Sequence, residues 1–526
     1  MLLLEALQIK HYVKDRLLLD IDQLYIHKND RIGLVGRNGS GKTTLLSILA
    51  GGLPRESGMI IHHAQCELLP QLKTTDAARS GGEITQAYIQ QALMKAPDIL
   101  LADEPTTHLD TEHIEWLEKK LLQWKGSFVI ISHDRTFLNT VCTKIWEIND
   151  GEIKEYKGSY RDYEVQKETE LRQKKLAYEK YECKKKQLEE ALRLKEKKAE
   201  KATKAPKGLS SSEANITGAR PYFAKKQKKL QKTAKAIEKR IDHLEKPEKV
   251  KEHPALKMIL PNEEVLQDRI ILRLQQVSGT IGQRLLWDSP DFHIRAGDKL
   301  AVIGPNGSGK TSLLKKIVHQ DSGVTISPAV KIGYFSQHLT ILDVKKSILE
   351  NVRSTSKQEE ALIRTVLARL HFYQDDVYKP AGVLSGGERV KAALAKLFLS
   401  DINTFILDEP TSFLDIDATY ALEALLKEYS GTVIFASHDR RLIDNVATKM
   451  AVIRNQKIEL FEGTYEQYKQ RKQLKKNPDK NADKLLVLDM KISEVLSRLS
   501  IEPSEQLEKE FQLLLQEKQA LNRFDH

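Results

Sequence analysis

The sequence predicts an α/β protein with two copies of one P-loop domain, an α-helical antiparallel hairpin linker between them, and a helical C-terminal extension. Three observations predict this class. The segment GRNGSGKTT at 36–44 recurs as GPNGSGKTS at 304–312. Each copy follows an apolar strand pattern, IGLVG or LAVIG, as an α/β domain requires. Residues 165–202 lack Pro and Gly and are rich in charge, which favours one long helix between the copies.

The two copies share a whole order of motifs. Each continues with a lone glutamine (Gln71 or Gln337), then SGGE, an apolar strand ending in DEPT, and SHDR. From the SGGE serine to the DEPT aspartate there are 23 residues in both copies, and from that aspartate to the SHDR histidine there are 30. The glutamine-to-serine interval is 9 residues in the first copy and 48 in the second. We therefore expect a reduced helical subdomain in the first copy.

The pattern GxxxxGK[ST] predicts a loop whose backbone N–H groups and following helix N-terminus bind phosphate. Lysine at this position brings a charge to the β- and γ-phosphates, and the next hydroxyl reaches Mg²⁺. The residues predicted to bind ATP in this way are Gly36, Asn38, Gly39, Gly41, Lys42, Thr43 and Thr44 in the first copy, and Gly304, Asn306, Gly307, Gly309, Lys310, Thr311 and Ser312 in the second.

Carboxylates at the ends of two buried strands indicate metal binding and catalysis. Asp103 and Asp408 end apolar strands, where a carboxylate is costly unless it meets a metal ion or a water bound to one. The next residues, Glu104 and Glu409, are expected to polarise an attacking water. A histidine after the following strand can reach the γ-phosphate side of each pocket; these are His133 and His438.

Positive charge is concentrated between the two copies. Residues 165–250 hold 26 Lys and Arg against 13 Asp and Glu, a net +13, whereas the whole chain carries +11. This distribution suggests a polyanionic partner. The three cysteines are far apart in sequence, which indicates free thiols in a reducing compartment. No run of 18 apolar residues and no signal peptide pattern is present, so we expect a cytoplasmic protein without a membrane domain.

Heptad spacing predicts that the linker folds back on itself. The apolar seams are Leu188, Leu192, Ala199 and Ala202 on the outgoing helix, and Leu230, Ala234, Ile237, Ile241 and Leu244 on the returning one. The tip loop is predicted at about 203–222, because Pro206 and Pro221 break helices. Residues 201–230 carry eight Lys and Arg and one acid, which favours contact with RNA over a spacer or a dimerisation arm. The tip candidates are Lys207, Leu209, Ser212, Asn215, Ile216, Arg220, Tyr222 and Phe223.

The order P-loop, Gln, SGGE, DEPT and SHDR resembles the nucleotide-binding domain of the ATP-binding-cassette (ABC) superfamily. The resemblance implies Mg²⁺-dependent ATP hydrolysis in a monomer whose two cassettes dimerise intramolecularly around two ATPs. Ser385 and Gly387 would complete the first site, and Ser80 and Gly82 the second. The resemblance also assigns two glutamines to the metal and one aromatic residue to adenine: Gln71, Gln337 and Tyr12. Thr280 matches Tyr12 in the second copy, so that site lacks the aromatic residue.

Tandem cassettes on one chain with a charged helical linker resemble the ABC-F proteins, in particular their Vga-type antibiotic-resistance branch. The sequence segments that carry this resemblance include TKAPKGLS and GARPYFAKKQKKL. This resemblance implies binding to the ribosome, with contacts to 23S rRNA near the peptidyl-transferase centre and to the P-site tRNA. It implies displacement of lincosamides, streptogramin A or pleuromutilins.

The predicted domains are a first ABC ATPase domain at 1–163, the linker at 164–252, a second ABC ATPase domain at 253–469, and a helical C-terminal extension at 470–526. Three other functions fit the same motifs. A housekeeping ABC-F translation factor would bind ribosomes without giving drug tolerance. A DNA-associated coiled-coil ATPase would have a longer arm, so we do not expect DNA as the partner. An exporter subunit would need a membrane partner.

Overall fold

The computed structural model describes residues 1–13, 15–54, 56–71, 81–107, 109–201, 219–247, 269–336, 341–412, 414–476 and 511. The chain divides into two compact units. The first comprises Met1–Gln71, Ala92–Pro105 and Leu121–Ala255, and the second comprises Leu72–Gln91, Thr106–Lys120 and Leu256–His526. The boundary between the units therefore differs from the boundary of the duplication, because two short segments of the first copy belong to the second unit.

The first copy contains a central sheet and a smaller antiparallel sheet. Its strands are β1 Leu2–Val13, β2 Arg16–His27, β3 Arg31–Gly36, β4 Ser57–His62, β5 Cys66–Leu69, β6 Ile99–Asp103, β7 Ser127–Ile131, β8 Lys144–Asn149 and β9 Glu152–Lys157. The described strands of the central sheet follow the order β5-β6-β7-β3-β8-β9, and the smaller sheet the order β2-β1-β4. Strands β6 and β7 are buried along their whole length, as expected for parallel strands covered on both faces.

The second copy repeats this topology. Its strands are β10 Ile270–Leu274, β11 Ser278–Ile281, β12 Arg284–Asp288, β13 Phe292–Arg295, β14 Lys299–Ile303, β15 Val324–Ile326, β16 Ile332–Phe335, β17 Thr404–Asp408, β18 Thr432–Ala436, β19 Lys449–Arg454 and β20 Lys457–Glu462. The order of the large sheet is β11-β12-β20-β19-β14-β18-β17-β16 in the described chain. Taken from the β16 edge, six strands of this sheet follow the order β16-β17-β18-β14-β19-β20, which corresponds strand by strand to β5-β6-β7-β3-β8-β9 of the first copy. This correspondence confirms the predicted α/β duplication.

Helices cover both sheets. In the first copy they are α1 Lys42–Leu49, α2 Gly81–Met94, α3 Thr111–Gln123 and α4 Arg135–Val141. The linker supplies α5 Tyr160–Lys201 and α6 Ala219–Asp242. The second copy has α7 Lys310–His319, α8 Ile348–Arg353, α9 Glu360–Arg369, α10 Gly386–Leu399, α11 Ile416–Glu428 and α12 Arg440–Val446, followed by α13 Tyr465–Lys476.

The helical subdomain of the second copy fills the long interval between its glutamine and its SGGE motif. Helices α8 and α9 lie there, and α10 begins at the motif itself. Ser385 caps α10 in a capping box with Glu388, so the SGGE sequence itself specifies the start of this helix. The equivalent interval of the first copy, residues 72–80, lies outside the described residues.

The linker forms two long helices that contact each other. Helix α5 has 42 residues, which corresponds to about 63 Å of helix length. Ala199 and Ala234, one from each predicted seam, are buried, and Leu188, Leu192 and Leu230 are partly buried. The named seam side chains are therefore at least partly shielded from solvent.

The returning helix begins earlier than the sequence predicts. Helix α6 starts at Ala219, whereas the loop was expected to extend to about residue 222. Pro221 is tolerated because the first turn of a helix has N–H groups without intrahelical acceptors. Arg220, Tyr222 and Phe223 thus lie in the first turns of α6. The other tip candidates, namely Lys207, Leu209, Ser212, Asn215 and Ile216, lie outside the described residues, as does residue 477 onward apart from Phe511.

Candidate functional site

Each P-loop joins a central strand to a helix. The loop after β3 leads into α1, and the loop after β14 leads into α7. Gly41 and Gly309 precede these helices with φ of 99° and 95°, a conformation that side chains rarely adopt. The repeated glycine therefore has a backbone reason in both copies, and the loop presents its N–H groups at a helix N-terminus as an anion site requires.

The two P-loop lysines lie folded against their own loops. Lys42 donates hydrogen bonds from Nζ to the carbonyl oxygens of Gly36 at 2.7 Å and Arg37 at 2.9 Å. Lys310 makes the equivalent bonds to Gly304 at 3.0 Å and Pro305 at 3.2 Å. Both lysines are buried, so each ammonium group is held close to the predicted phosphate position.

The predicted metal-binding aspartates meet the P-loop threonines. In the second unit Thr311 donates a hydrogen bond to Asp408 at 3.2 Å between Oγ1 and Oδ1. In the first unit the Thr43 hydroxyl donates a hydrogen bond to Asp103 in the same way. Burial raises the pKa of Asp103, and the hydrogen bond from Thr43 partly opposes that rise. The sheet brings these groups together because the aspartates end strands that lie under the P-loop helix.

The glutamates after these aspartates have an unusual backbone. Glu104 has φ 50° and Glu409 has φ 49°, in the left-handed region where non-glycine residues are strained. Their N–H groups donate to Ile131 and Ala436, each at 3.0 Å. Such strain persists only where the surrounding structure fixes it, and it occurs at the same position in both copies.

Each glutamate faces the predicted histidine of its own copy. His133 Nε2 lies 3.1 Å from Glu104 Oε1, and His438 Nε2 lies 3.4 Å from Glu409 Oε1. The same glutamate oxygens are buried, and they have no hydrogen bond of good geometry to any described residue. An oxygen in this state is available to accept a hydrogen bond from a water molecule or a ligand.

Burial controls the charge of the second site. It raises the pKa of Asp408 and raises that of Glu409 to about 7, while the positive charge of Lys310 opposes the rise. Burial also lowers the pKa of His438 to about 3, so this imidazole is neutral at pH 7. The second site therefore holds a carboxyl group that titrates near neutral pH beside a neutral histidine.

Replacing Glu409 with glutamine is expected to stabilise the nucleotide-free second unit more as the pH rises. Because the folded-state pKa of Glu409 lies above its unfolded value of 4.5, its contribution is fully present below pH 4.5 and is lost as the pH rises through about 7. Glutamine does not titrate. In calorimetry without nucleotide, the unfolding midpoint of the variant should exceed that of the wild type by about 5 °C at pH 8 and by little at pH 5. An equal difference at both pH values would contradict the raised pKa.

The residues present fit Mg²⁺ with ATP. Asp103 Oδ2 and the hydroxyl groups of Ser40 and Ser308 are buried without a hydrogen-bond partner in the described chain. Mg²⁺ is usually held by one or two carboxylates together with phosphate oxygens and waters, so a cage of protein ligands is not required. The described ranges contain no group of three or more His, Cys, Asp or Glu side chains arranged for a metal ion.

Comparison with known proteins identifies the family. Family profiles described as "ABC transporter" match residues 19–75 and 287–412, and residues 146–214. The erythromycin resistance ATP-binding protein MsrA of Staphylococcus epidermidis is 33% identical over 488 residues, which cover 86% of this chain and 97% of MsrA. The chain belongs to the ABC-F family of ATP-binding proteins. Since the ABC domains of ABC-F proteins are ATPases, this chain is an ATPase.

Two further comparisons agree with the ABC-F assignment. The ribosome protection protein VmlR of Bacillus subtilis (strain 168) is 30% identical over 531 residues, covering 94% of this chain and 92% of VmlR. A structure described as RNase-L Inhibitor matches with a TM-score of 0.57 at 16% identity, covering 85% of this chain and 87% of that chain. At that identity the likeness concerns the fold, which is confirmed. ABC ATPase domains in general bind ATP with Mg²⁺.

Among the residues predicted to complete the two ATP sites of this ABC-F chain, those that the structure describes lie at helix starts. Ser385 is the N-cap of α10 and Gly387 lies in its first turn, while Gly82 lies in the first turn of α2. Ser80 and Gln337 lie outside the described residues. Residues 81–91 of α2 belong to the same compact unit as the second P-loop.

The predicted base-stacking position differs between the two copies of the ABC-F chain. Tyr12 is exposed and pairs with Leu17 across the β1–β2 hairpin, and Thr280 pairs with Leu285 across β11–β12. Gln71 is also exposed, after the end of β5. The hairpins are therefore equivalent, and only the first presents an aromatic ring at this position.

Asp110 is a site residue that the sequence analysis missed. Its Oδ2 accepts a hydrogen bond from the N–H of Asn306, in the second P-loop, at 3.0 Å. Its Oδ1 accepts from the N–H of His113 at 3.0 Å and lies 2.7 Å from the His113 ring Nδ1. Burial opposes these hydrogen bonds, but they prevail and lower the pKa of Asp110. The sequence carried a signal, because Asp110 follows Asp103 by seven residues, as Asp415 follows Asp408.

Helix α3 also presents a row of acidic side chains to basic partners of the second copy within the second unit. The acids are spaced three residues apart, which places them on one side of a helix. The deepest pair is buried, and the others are partly exposed. The pairs are Arg454–Glu112 at 3.7 Å, Lys469–Glu115 at 2.8 Å and Arg440–Glu118 at 2.5 Å.

In the part of the chain that the structure describes, no helix combines the length and the apolar character needed to cross a bilayer.

Proposed function

We propose that this chain is an ATP-gated ribosome-protection factor. With ATP bound it would occupy the exit site of the 70S ribosome, and its linker would dislodge antibiotics from the peptidyl-transferase centre. Lincosamides, streptogramin A and pleuromutilins are the proposed drugs. ATP hydrolysis would then release the protein. The observation that carries the proposal is the similarity, over nearly the full length of both chains, to a protein named a ribosome protection protein.

The charge of the linker supports an RNA partner. Helix α6 carries nine Lys and Arg against two acids, and Lys225, Lys228 and Lys229 near its start are exposed. Such a surface is attracted to phosphate groups and gives binding that weakens as salt is raised. The proposed contacts are 23S rRNA near the peptidyl-transferase centre and the P-site tRNA.

Each of the side chains described above has a separate proposed role in ATP hydrolysis. Lys42 and Lys310 would bind the phosphates, in exchange for the carbonyl oxygens that they contact in the described structure. Bound Mg²⁺ would neutralise charge on the phosphates. The threonine–aspartate pairs would orient that ion, and Glu104 and Glu409 would accept a hydrogen bond from the attacking water. The neutral imidazole of His438 would stay beside the γ-phosphate without adding charge.

The second ATP site is proposed to draw on both copies. Its P-loop belongs to one compact unit with α2 residues 81–91 and with Asp110, whose carboxylate bonds Asn306 of that loop. This supports the expectation that Ser80 and Gly82 complete the site. Closing of the cassettes around ATP would favour the ribosome-binding form only to the extent that ATP binds that form more tightly.

Growth of a sensitive host expressing this chain tests the proposal. The full chain is expected to raise the inhibitory concentration of at least one peptidyl-transferase drug. The panel includes erythromycin, because a relative is named for resistance to it. A variant with residues 203–217 replaced by a Gly/Ser segment of equal length should lose the protection while it still hydrolyses ATP. Protection against no drug, or equal protection by the variant, would exclude the proposed role of the linker.

A housekeeping ABC-F translation factor is the second candidate, since the same fold and the same basic linker would serve it. Such a factor would sediment with ribosomes in the presence of ATP and would give no drug tolerance. A DNA-associated ATPase would instead be retained by DNA and would not sediment with ribosomes. The growth panel and the two binding assays therefore separate all three functions.

A further inference from the structure

Tyr334 carries a hydroxyl group for which the described residues offer no hydrogen bond. The residue lies on β16, paired opposite Ile406 of the neighbouring strand β17. Its hydroxyl oxygen is shielded from solvent and has no hydrogen-bond partner in the described part of the chain. A buried hydroxyl left unpaired costs about 1–3 kcal/mol, so such groups usually have a partner in the functional state.

The side chain of Tyr334 lies on the face of the sheet that holds the second ATP site. It packs against the apolar cluster that contains Leu313 and Leu314 of α7, the P-loop helix, together with Ile406. Asp408 lies two residues beyond Ile406 on β17, and residues two apart share a face. The Thr311–Asp408 hydrogen bond locates that face under α7.

Electrostatics agrees with this placement. Burial raises the pKa of Tyr334 above its usual value of 10.0, and the negative charge of Asp408 raises it further. The phenol is therefore a neutral hydrogen-bond donor within the field of the Asp408 carboxylate. A donor without an acceptor and a carboxylate that attracts donors thus lie at the same edge of the sheet.

The first copy lacks this hydroxyl. Leu68 occupies the matching position, because β5 pairs Leu68 opposite Leu101 as β16 pairs Tyr334 opposite Ile406. Leu68 packs against the apolar core of its own copy. At this position, therefore, only the second copy has a hydroxyl group.

We propose that Tyr334 is a positioning residue of the second ATP site, whose hydroxyl donates a hydrogen bond, directly or through one water, to the Asp408 carboxylate when Mg²⁺ and ATP are bound. This inference rests on the proposed role of Asp408 at the metal. The hydrogen bond fixes the orientation of the carboxylate and gives the second site a higher Mg²⁺ affinity than a leucine at the same position allows. Residues that support a metal ligand in this way typically change metal affinity by about 10-fold or more when they are removed.

The test uses the full chain with Lys42→Ala to silence the first site. Binding of a fluorescent ATP analogue is titrated with Mg²⁺ in this parent and after Tyr334→Phe, which removes only the hydroxyl. The Mg²⁺ concentration at half-saturation should rise about tenfold. Tyr334→Leu, which copies the first site, should give the same rise. The unfolding midpoint of each nucleotide-free variant serves as the control for a merely structural role.

Three results of this experiment would overturn the inference. A half-saturation value that moves less than twofold in Tyr334→Phe overturns the inference. A change that is fully matched by a lower unfolding midpoint without nucleotide also overturns it, because the hydroxyl would then serve the fold. If the Lys42→Ala parent binds no analogue at any Mg²⁺ concentration, the assignment of Asp408 and its site fails, and the inference fails with it. Drug protection is not measured in this test, so its result does not bear on the proposed ribosomal role, which the growth assay tests.

Discussion

Replacing Glu104 and Glu409 together with glutamine is expected to lower the ATPase turnover by at least about 100-fold while ATP binding is retained. Glutamine has nearly the same shape as glutamate and preserves the strained backbone, but its amide cannot act as a base. In both copies the glutamate side chain is close to a histidine and has a buried oxygen available to a water molecule. The loss should therefore fall on the chemical step and leave the P-loops able to bind nucleotide.

Steady-state phosphate release and equilibrium binding of ATP check this expectation, with Glu152→Gln, an exposed glutamate on β9, as the matched control. If the proposed function is right, the double variant will also remain on ribosomes when ATP is present. Free exchange off ribosomes under these conditions would exclude hydrolysis as the release step. Unchanged turnover would remove both glutamates from the catalytic scheme, and the two single variants will report whether the sites contribute equally.

Substitution of Glu118 by alanine is expected to destabilise the second unit by about 3 kcal/mol, which lowers its unfolding midpoint by roughly 5 °C. Glu118 lies 2.5 Å from Arg440, and the two side chains are only 11% and 7% exposed. Removal of one member of a buried pair leaves the other charge with less compensation in a low-dielectric surrounding. Calorimetry of the nucleotide-free protein measures the change.

Glu112→Ala provides the matched control for this measurement. Glu112 lies on the same helix and faces Arg454 at 3.7 Å, but these side chains are 59% and 42% exposed. An exposed pair of this kind contributes at most about 1 kcal/mol, so the midpoint should move by no more than about 2 °C. Equal effects of the two substitutions would mean that burial of the Glu118–Arg440 pair does not determine its contribution.

Local patterns predicted most of the fold and the core of the site. The P-loop glycines, the apolar strands ending in Asp103 and Asp408, and the two SHDR histidines follow one another at repeated spacings. A repeat at fixed spacing predicts the same strand order twice, and the two central sheets have it. The heptad seam included the two buried alanines of the linker, Ala199 and Ala234, because packing of a long helix depends on residues three and four apart.

Contacts between distant parts of the chain were not predictable in this way. Asp110 and Asn306 are separated by 196 residues, and Glu118 and Arg440 by 322. No periodic pattern links such positions, and an acidic residue on a helix usually faces solvent. The hydroxyl of Tyr334 was also overlooked, because an aromatic residue in a strand indicates packing and does not reveal an unpaired polar atom. The early start of α6 followed from a position-dependent tolerance for Pro221.

The distance between Glu118 and Arg440 also sets an order of events during synthesis. At about 5–20 residues per second, the ribosome needs roughly 15–60 s to advance from Glu118 to Arg440. For that time α3 has been made, but its basic partners do not yet exist, so its acidic side remains in water. The segment Thr106–Lys120 can join its compact unit only after the second copy has been synthesised. A truncated chain ending in the linker would therefore leave Glu118 on α3 without its buried partner Arg440.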